Sequence, residues 1–343
     1  MITDIHTTRN VALIGAGLWG RHIARNLAGL GALKGICDHS HEQAAQIAAS
    51  SGEAYSGDTY PVAVLSLDDI LADPDIAGVA IATPAPSHHD IAIKALAAGK
   101  HIYVEKPLAL SLAEATAIAD AASAAGKHVM LGHLLRYHAA FIALDAAVAA
   151  GQIGALTHIR ASRLAPGRIR ATESALYDLC PHDLAMIHRL MRGAEPTHIS
   201  CQMICHITPG VDDIVTADMG FANGVSASIQ ANWMNPVKVH NLTVIGDEAA
   251  LVFDDTKPWE AKLTRYPMRI IRHDSAPDLE RGEAVPIPIT ASEPLKDEMR
   301  AFLTMIETNT PPPSDIAEAL YVQRLLERME NSTAQHLSRF KES

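Results

Sequence analysis

Short apolar segments alternate with longer amphipathic ones along the first 131 residues of the chain. The apolar segments have the length of strands buried on both faces. They lie at Val11–Ile14, Lys34–Cys37, Gly78–Ala82, His101–Pro107, which ends in Glu-Lys-Pro, and Val129–Leu131. The amphipathic segments predict helices at Arg21–Leu30, His41–Ser51, Asp68–Ala72, Ser87–Ala98 and Ser111–Ala125. Strands that alternate with helices are typical of a doubly wound parallel sheet. We therefore predict an α/β Rossmann domain over residues 1–131.

Two serines are placed to begin predicted helices. Ser87 is expected to cap its helix through the side-chain oxygen, with Gly99 just past the other end. Ser111 and Glu114 have the spacing of a capping box, in which each residue bonds the backbone of the other.

The pattern changes after residue 131. Helical sequence continues to about Gly151, and strands then follow one another without helices between them, at His158–Leu164, Thr197–Thr208, Ile214–Phe221, Val225–Trp233, Val239–Ile245 and Ala249–Phe253. The chain ends in two predicted helices, Leu295–Thr308 and Asp315–Glu330, after a charged segment, Arg272–Glu283, that is expected to be a loop. We predict an α+β domain over residues 132–343 for substrate binding and oligomerisation, with the last helices able to pack back on the first domain.

Strict alternation between Val225 and Trp233 predicts a strand with one buried and one wetter face. A largely antiparallel open sheet of such strands often hides a face by self-association. We therefore expect a homo-oligomer, a dimer or a tetramer.

Composition narrows the class of protein. The 343 residues suffice for two domains, and 48% apolar with 20% charged residues is ordinary for a soluble protein. A net charge of −11 argues against a nucleic-acid surface. The sequence shows neither a signal-peptide pattern nor an apolar run long enough to span a membrane. The four cysteines have no disulfide or metal-site spacing, so free thiols, no metal and a cytoplasmic location are expected.

The first strand leads directly into the sequence Gly15-Ala16-Gly17-Leu18-Trp19-Gly20. In such a loop the first glycine permits the turn, the second admits a pyrophosphate and the third allows close helix packing. Asp38 ends the second strand 18 residues after Gly20, near the spacing of an acid that binds a ribose 2′-hydroxyl. This predicts NAD over NADP, a preference that His39 and Ser40 could weaken, unless Asp38 merely ends a strand.

Other residues follow predicted strand ends, where ligands bind in open α/β sheets. Thr83, Pro84, His88 and Glu105 are therefore expected to line the cofactor crevice, although His88 could equally be a histidine that caps a loop. Lys106 follows Glu105, and we expect its ammonium where cofactor and substrate meet. The alternative is a surface lysine in a loop.

A second set of candidates lies in the sheet domain. Pro181 suits the first turn of a helix, which would place His182 near a helix N-terminus, where the dipole favours the neutral imidazole that a general base requires. Asp178 would lie just before that helix and orient the ring or a sugar hydroxyl. The alternative is a structural histidine, since the chain has 18 of them.

Arginines precede this segment. Four of them lie between Arg160 and Arg170, and guanidinium groups suit a diphosphate. The alternative is a solvated face paired with acidic residues. Arg136, in the sequence GHLLRYH, is a candidate substrate contact, with a structural ion pair as the alternative.

Three motifs together resemble the Gfo/Idh/MocA sugar oxidoreductases: GAGLWG, ATPAPSHH at Ala82–His89 and AGKHIYVEKP at Ala98–Pro107. The resemblance implies a catalytic role for Lys106, a place near the nicotinamide ribose for Glu105 and a cis bond before Pro107. It also implies a catalytic His182 preceded by Asp178 at a distance of four residues.

Within that family, GHLLRYH, SRLAPGRIR, the segment Asp178–His182 and FDDTKPWE at Phe253–Glu260 are similar to a subgroup that acts on UDP-N-acetylglucosamine. This implies NAD-dependent oxidation of the sugar 3-hydroxyl. With such a substrate, we expect Arg163 and Arg168 to face the diphosphate and Arg136 and Asp178 to hold the sugar. A pyridoxal-phosphate aminotransferase would act next, toward 3-amino sugars of the lipid A type.

The sequence departs from the commoner family pattern at two positions. Cys180 and Ala185 stand where that pattern has Gly and Asp, which weakens a free-polyol substrate. The alternatives are a dehydrogenase of another nucleotide sugar or of a free sugar, and a non-catalytic NAD-sensing regulatory protein.

Overall fold

The structure is a computed structural model that describes residues 10–52, 61–167, 169–271, 273 and 276–332, and the backbone of 337–338. The chain divides into two compact units. The first comprises Met1–Leu134 with Glu293–Gln323, and the second comprises Leu135–Ser292 with Arg324–Ser343.

The described elements of residues 10–134 are β1 (Val11–Ile14), α1 (Leu18–Gly29), β2 (Leu33–Cys37), α2 (His41–Gly52), β3 (Ala63–Val64), α3 (Leu67–Ala72), β4 (Gly78–Ile81), α4 (His88–Ala97), β5 (His101–Val104), α5 (Leu112–Ala125) and β6 (Val129–Leu131). Those that follow are α6 (Ala139–Ala149), β7 (Leu156–Pro166), α7 (Ala175–Leu190), β8 (Pro196–Cys205), β9 (Ile214–Phe221), β10 (Ser226–Asn232), β11 (Met234–Gly246), β12 (Ala249–Asp254), β13 (Leu263–Ile271), β14 (Asp278–Arg281), β15 (Val285–Pro286), α8 (Pro294–Thr308), α9 (Ile316–Ser332) and β16 (Leu337–Ser338).

The first unit contains a six-stranded sheet in the order β3-β2-β1-β4-β5-β6, with every pair parallel. The strands β1, β4 and β5 are completely buried because helices cover both faces. The order reverses between β1 and β4, so the loops after these two strands open the crevice in which ligands of such sheets bind. The predicted Rossmann domain is confirmed.

Helix ends in this unit show which capping predictions hold. The Ser111 Oγ accepts from the Glu114 N–H at 3.2 Å, but the Glu114 carboxylate bonds the N–H of Leu110 instead of Ser111. The Ser87 prediction is wrong, because its hydroxyl bonds the Thr83 side chain and the Pro84 carbonyl and does not cap α4.

The second unit contains a ten-stranded sheet in the order β14-β13-β12-β11-β7-β10-β9-β8-β16, with β15 paired to β13. The pairs β7–β10 and β8–β16 are parallel and the others antiparallel, which confirms a largely antiparallel sheet. Helix α7 lies against β7, β9 and β10. The alternating residues of β10 are buried on one side and partly exposed on the other, as predicted.

Two predictions in this unit are wrong. The segment Arg272–Glu283 is not a loop throughout, because β14 pairs with β13. Helix α7 begins at Ala175 and not at Pro181, because Ala175 and Leu176 are fully buried and extend its apolar face toward the N-terminus. None of the described helices is both long and apolar enough to cross a membrane.

Candidate functional site

The glycine loop after β1 has the geometry that each of its glycines predicts. Gly15 has a φ of +102°, and a Cβ there would lie 2.6 Å from the backbone of Ala82. A Cβ on Gly20 would collide with the Gly15 carbonyl, whereas one on Gly17 would meet no atom within 4 Å. The loop therefore packs tightly on two sides and is open at Gly17. No side chain caps α1 at Gly17, so its first N–H groups can face an anion.

Leu18 and Trp19, at the beginning of α1, are exposed by 70% and 40%. Large apolar side chains at the mouth of such a loop are available to a flat ligand. Their contact with the cofactor stays a prediction.

Asp38 holds the glycine loop from the end of β2. One carboxylate oxygen accepts from the Ala16 N–H at 2.7 Å and the other from the Ser40 N–H at 2.8 Å. From α2, Gln43 donates to the Ala16 carbonyl at 2.7 Å. The two side chains thus hold one residue of the loop, Ala16, at both its N–H and its carbonyl. Sequence reasoning missed Gln43, and its place in the first turn after an acidic strand end is the only local signal.

The loop after β4 contains Thr83 and Pro84 at the predicted strand end. His88 begins α4 and is 1% exposed. Its Nδ1 lies 2.7 Å from the Pro107 carbonyl and its Nε2 2.8 Å from the Thr83 carbonyl. Burial lowers the pKa of His88. Because both ring nitrogens face backbone carbonyls, the observed geometry is that of the alternative, a histidine that ties two loops together.

Glu105 joins the end of β5 to the glycine loop. Its carboxylate accepts from the Tyr103 hydroxyl at 2.6 Å and from the indole N–H of Trp19. A Cβ on Gly132 would lie 2.7 Å from the Tyr103 hydroxyl, so that glycine leaves room for the group. Burial raises the pKa of Glu105, opposed by its hydrogen bonds and by the Lys106 ammonium. Lys106 is partly buried and is joined to Pro107 by a cis bond, as the resemblance implied.

Glu298 was not found by sequence reasoning. It lies in α8, is 1% exposed, and has one oxygen 3.4 Å from the Tyr103 hydroxyl. Its other oxygen has no hydrogen-bond partner among the residues described. Burial, and then the charge of Glu105, raise the pKa of Glu298 well above its ordinary value. The carboxyl groups of Glu105 and Glu298 therefore both lie within 3.4 Å of the Tyr103 hydroxyl, at the end of the strand that precedes Lys106.

In the second unit, Asp178 and His182 lie four residues apart on one face of α7. Since α7 begins at Ala175, Asp178 lies in its first turn and His182 in its interior. The predicted place of His182 at a helix N-terminus is thus wrong, and the helix dipole does not favour its neutral form there. Arg170 binds both oxygens of Asp178 at 3.1 Å.

The four arginines before α7 do not form one patch. Arg163 binds both oxygens of Asp183 at 2.9 and 3.2 Å, and the Asp183 side chain is 2% exposed. Arg160 is exposed on the opposite face of β7, because alternate residues of a strand face opposite ways. Arg168 lies outside the described residues. The alternative interpretation, arginines paired with acids, therefore fits Arg163 and Arg170.

Arg136 is 8% exposed, and its guanidinium lies 5.5 Å from the centre of the Phe141 ring. This packing fits a structural arginine. Its predicted contact with substrate stays a prediction.

A cavity of about 100 Å³ in the second unit is lined by Arg163, Ala165, Gly167, Arg170, Asp178, Leu179, Asn232, Trp233 and His240. His240 lies opposite Arg163 on the neighbouring strand β11. Burial, and then the charge of Arg163, lower the pKa of His240 to about 4, so its imidazole is neutral at neutral pH. The carboxylate, guanidinium, amide and imidazole groups of this lining suit a hydroxylated ligand. No group of three potential metal ligands occurs among the residues that the structure covers.

Two family models match the chain. The one described as "Oxidoreductase family, NAD-binding Rossmann fold" matches residues 9–133, and the one described as "GFO/IDH/MocA C-terminal domain" matches residues 141–252. Together they include the glycine loop, Lys106 and His182.

Individual relatives differ in substrate. The chain is 33% identical over 221 residues to the UDP-N-acetylglucosamine 3-dehydrogenase of Acidithiobacillus ferrooxidans. The aligned residues make up 64% of this chain and 66% of that protein. It is 29% identical over 256 residues to the scyllo-inositol 2-dehydrogenase (NAD(+)) of Bacillus subtilis, covering 70% and 72%. A solved structure of the first relative superposes with a TM-score of 0.80 and 26% identity over 94% of this chain and 97% of that one.

Proposed function

This chain belongs to the Gfo/Idh/MocA oxidoreductase family, and on that premise we propose that it is an NAD-dependent dehydrogenase that oxidises the 3-hydroxyl of a UDP-N-acetylhexosamine, UDP-N-acetylglucosamine. The observation that carries the proposal is the hydrogen bond from Trp19 to Glu105. It fastens the segment that ends in Lys106 to the loop that receives the dinucleotide.

The residues of the first unit fit NAD. The open side of Gly17 and the uncapped N-terminus of α1 suit a pyrophosphate, and the Asp38 carboxylate suits a ribose hydroxyl. NAD, when bound, supplies the acceptor for the hydride that leaves the sugar carbon.

Lys106 donates a hydrogen bond to the reacting hydroxyl oxygen and stabilises the charge that develops there. The charge of Lys106, the next residue in the chain, opposes the burial that raises the pKa of Glu105. His182 takes the hydroxyl proton as general base. Asp178, four residues earlier on the same helix face, holds a sugar hydroxyl or orients His182.

A second candidate function is the oxidation of a neutral sugar or polyol. The observation that favours it is the pairing of Arg163 with Asp183 and of Arg170 with Asp178, since these pairs cancel the charge that a diphosphate requires. The relative named for scyllo-inositol supports it too. UDP-N-acetylglucosamine remains our first candidate because the relative of higher identity carries that name.

The test measures NADH formation with UDP-N-acetylglucosamine, N-acetylglucosamine and inositols. Lys106→Met and His182→Asn are each expected to lower kcat at least about 100-fold while NAD+ still binds. Exposed Lys94→Met and His198→Asn are the matched controls and should keep full activity. Unchanged turnover would remove the altered residue from the mechanism.

The panel separates the candidates. Turnover of neutral sugars alone would favour the second function. NAD+ binding without turnover of any sugar would indicate an NAD-sensing protein.

We further propose that the chain forms a homo-oligomer through the sheet face that α7 does not cover, where His158, Arg160 and Asp218 lie. Light scattering of the purified protein tests this, and a monomer would refute it. A 3-keto sugar is a substrate for amination, so an aminotransferase is proposed as the next enzyme.

A further inference from the structure

The segment between β2 and α2 brings a titratable side chain to the acid that selects the dinucleotide. The Asp38 carboxylate is 8% exposed and is held by the N–H groups of Ala16 and Ser40. The ring of His39 lies outside it, 93% exposed, with Nδ1 2.8 Å from an Asp38 oxygen. His39 therefore touches the selecting carboxylate without being buried by the fold.

An acid at this place accepts a ribose 2′-hydroxyl and repels a 2′-phosphate. Histidine is the side chain whose charge changes between about pH 5 and pH 8. A proton on His39 would leave the Asp38–His39 pair with no net charge instead of one negative charge. Its Nε2–H would also become a donor for a phosphate oxygen while Nδ1 stays on Asp38.

Other charged groups lie near this segment. His41 and Glu42 form the first turn of α2, and both are exposed. Arg21 is exposed in the first turn of α1 and keeps its charge throughout this pH range. His41 is therefore the other neighbour that can gain a proton, and it requires its own control.

We propose that His39 makes the dinucleotide specificity of this protein depend on pH, so that a dinucleotide with a 2′-phosphate, NADP+, binds once His39 is protonated. The proposal concerns the nucleotide alone and holds for any sugar substrate. It adds a second cofactor to the NAD that the family implies.

The experiment is titration calorimetry of NAD+ and NADP+ at about pH 8 and about pH 5.5, at constant ionic strength because salt screens these charges. The quantity compared is the ratio of the Kd for NADP+ to the Kd for NAD+. When the pH is lowered from about 8 to about 5.5, this ratio should fall in both proteins, and in the wild type by a factor about five times larger than in His39→Gln. Two unit charges about 4 Å apart in water interact by about 1 kcal/mol, which corresponds to about fivefold in Kd.

His39→Gln keeps a donor for Asp38 but gains no charge at low pH. The change of the Kd ratio with pH that remains in this variant therefore reports protonation of the 2′-phosphate itself. His39→Lys should show the low ratio at both pH values, and His41→Gln should behave as the wild type. An unchanged melting temperature and far-ultraviolet circular dichroism spectrum of His39→Gln report an intact fold.

Three results would overturn the proposal: an equal pH response in the wild type and His39→Gln, loss of the response in His41→Gln instead, or no NADP+ binding at the lower pH. Failure of the wild type to bind NAD+ would instead count against the dehydrogenase function.

Discussion

Replacing Glu298 by glutamine should stabilise the first unit, increasingly so as the pH rises. The Glu298 side chain is 1% exposed, and one of its oxygens has no partner among the residues described. Its other oxygen faces a phenol whose single hydrogen already serves Glu105 at the shorter distance of 2.6 Å. The folded chain therefore keeps a proton on Glu298 that the unfolded chain releases.

The magnitude follows from this difference in bound protons. Above the ordinary pKa of 4.5 the unfolded state has lost the proton of Glu298, while the folded state, in which burial raises the pKa, retains it. Folding stability then falls by about 1.4 kcal/mol per pH unit until the folded group also ionises. Glutamine is neutral at every pH and nearly isosteric, so the variant lacks this loss.

The assay is hydrogen exchange of the β5 amides in urea at several pH values between about 5 and 8. The ratio of variant to wild-type rates at each pH cancels the intrinsic effect of pH on exchange. Glu307→Gln, an exposed residue of the same helix, is the control and should show no pH-dependent difference. A Glu298→Gln difference that is constant with pH, or that reverses sign, would refute a buried neutral carboxyl.

Three further predictions concern single side chains. Gly17→Ala should change the unfolding free energy by less than about 0.5 kcal/mol, because its Cβ meets no atom, yet it should weaken NAD+ binding in calorimetry. Gly15→Ala should instead lower the unfolding free energy in a urea titration by more than about 1 kcal/mol, because Gly15 has a φ of +102°. Because burial lowers the pKa of His88, this residue should make stability fall as the pH drops below about 6.5, by up to about 1.4 kcal/mol per unit. In urea titrations the slope of His88→Gln should be shallower than that of the wild type by this amount, and the slope that remains comes from other histidines whose pKa is lowered by burial, such as His240. Arg163→Ala leaves the Asp183 carboxylate buried without its cation and should lower the unfolding free energy by about 3–5 kcal/mol, as measured by thermal unfolding. An unaltered melting curve together with a raised KM for the nucleotide sugar would instead indicate that Arg163 binds the substrate.

Much of the fold was accessible from the sequence because the relevant patterns are local. Buried strands such as β1 read as continuous apolar runs, and β10 as an alternation of apolar and polar residues. The glycine motif and the Ser111 cap each involve residues within six positions of one another in the sequence. Backbone sterics and hydrogen bonds between neighbouring residues favour such features, and the distant contacts of the glycine loop with Ala82, Asp38 and Gln43 then hold it in place.

Partner choice was decided by the tertiary structure. The sequence placed Glu105 and Arg163 at a ligand, but it could not reveal that Tyr103 links Glu105 to Glu298, 193 residues further along, or that Asp183 takes Arg163. The beginning of α7 at Ala175, with a proline inside the helix, also depends on burial of its first turn. A charged side chain binds whichever opposite charge or donor the fold buries beside it, and that neighbour comes from a distant part of the chain.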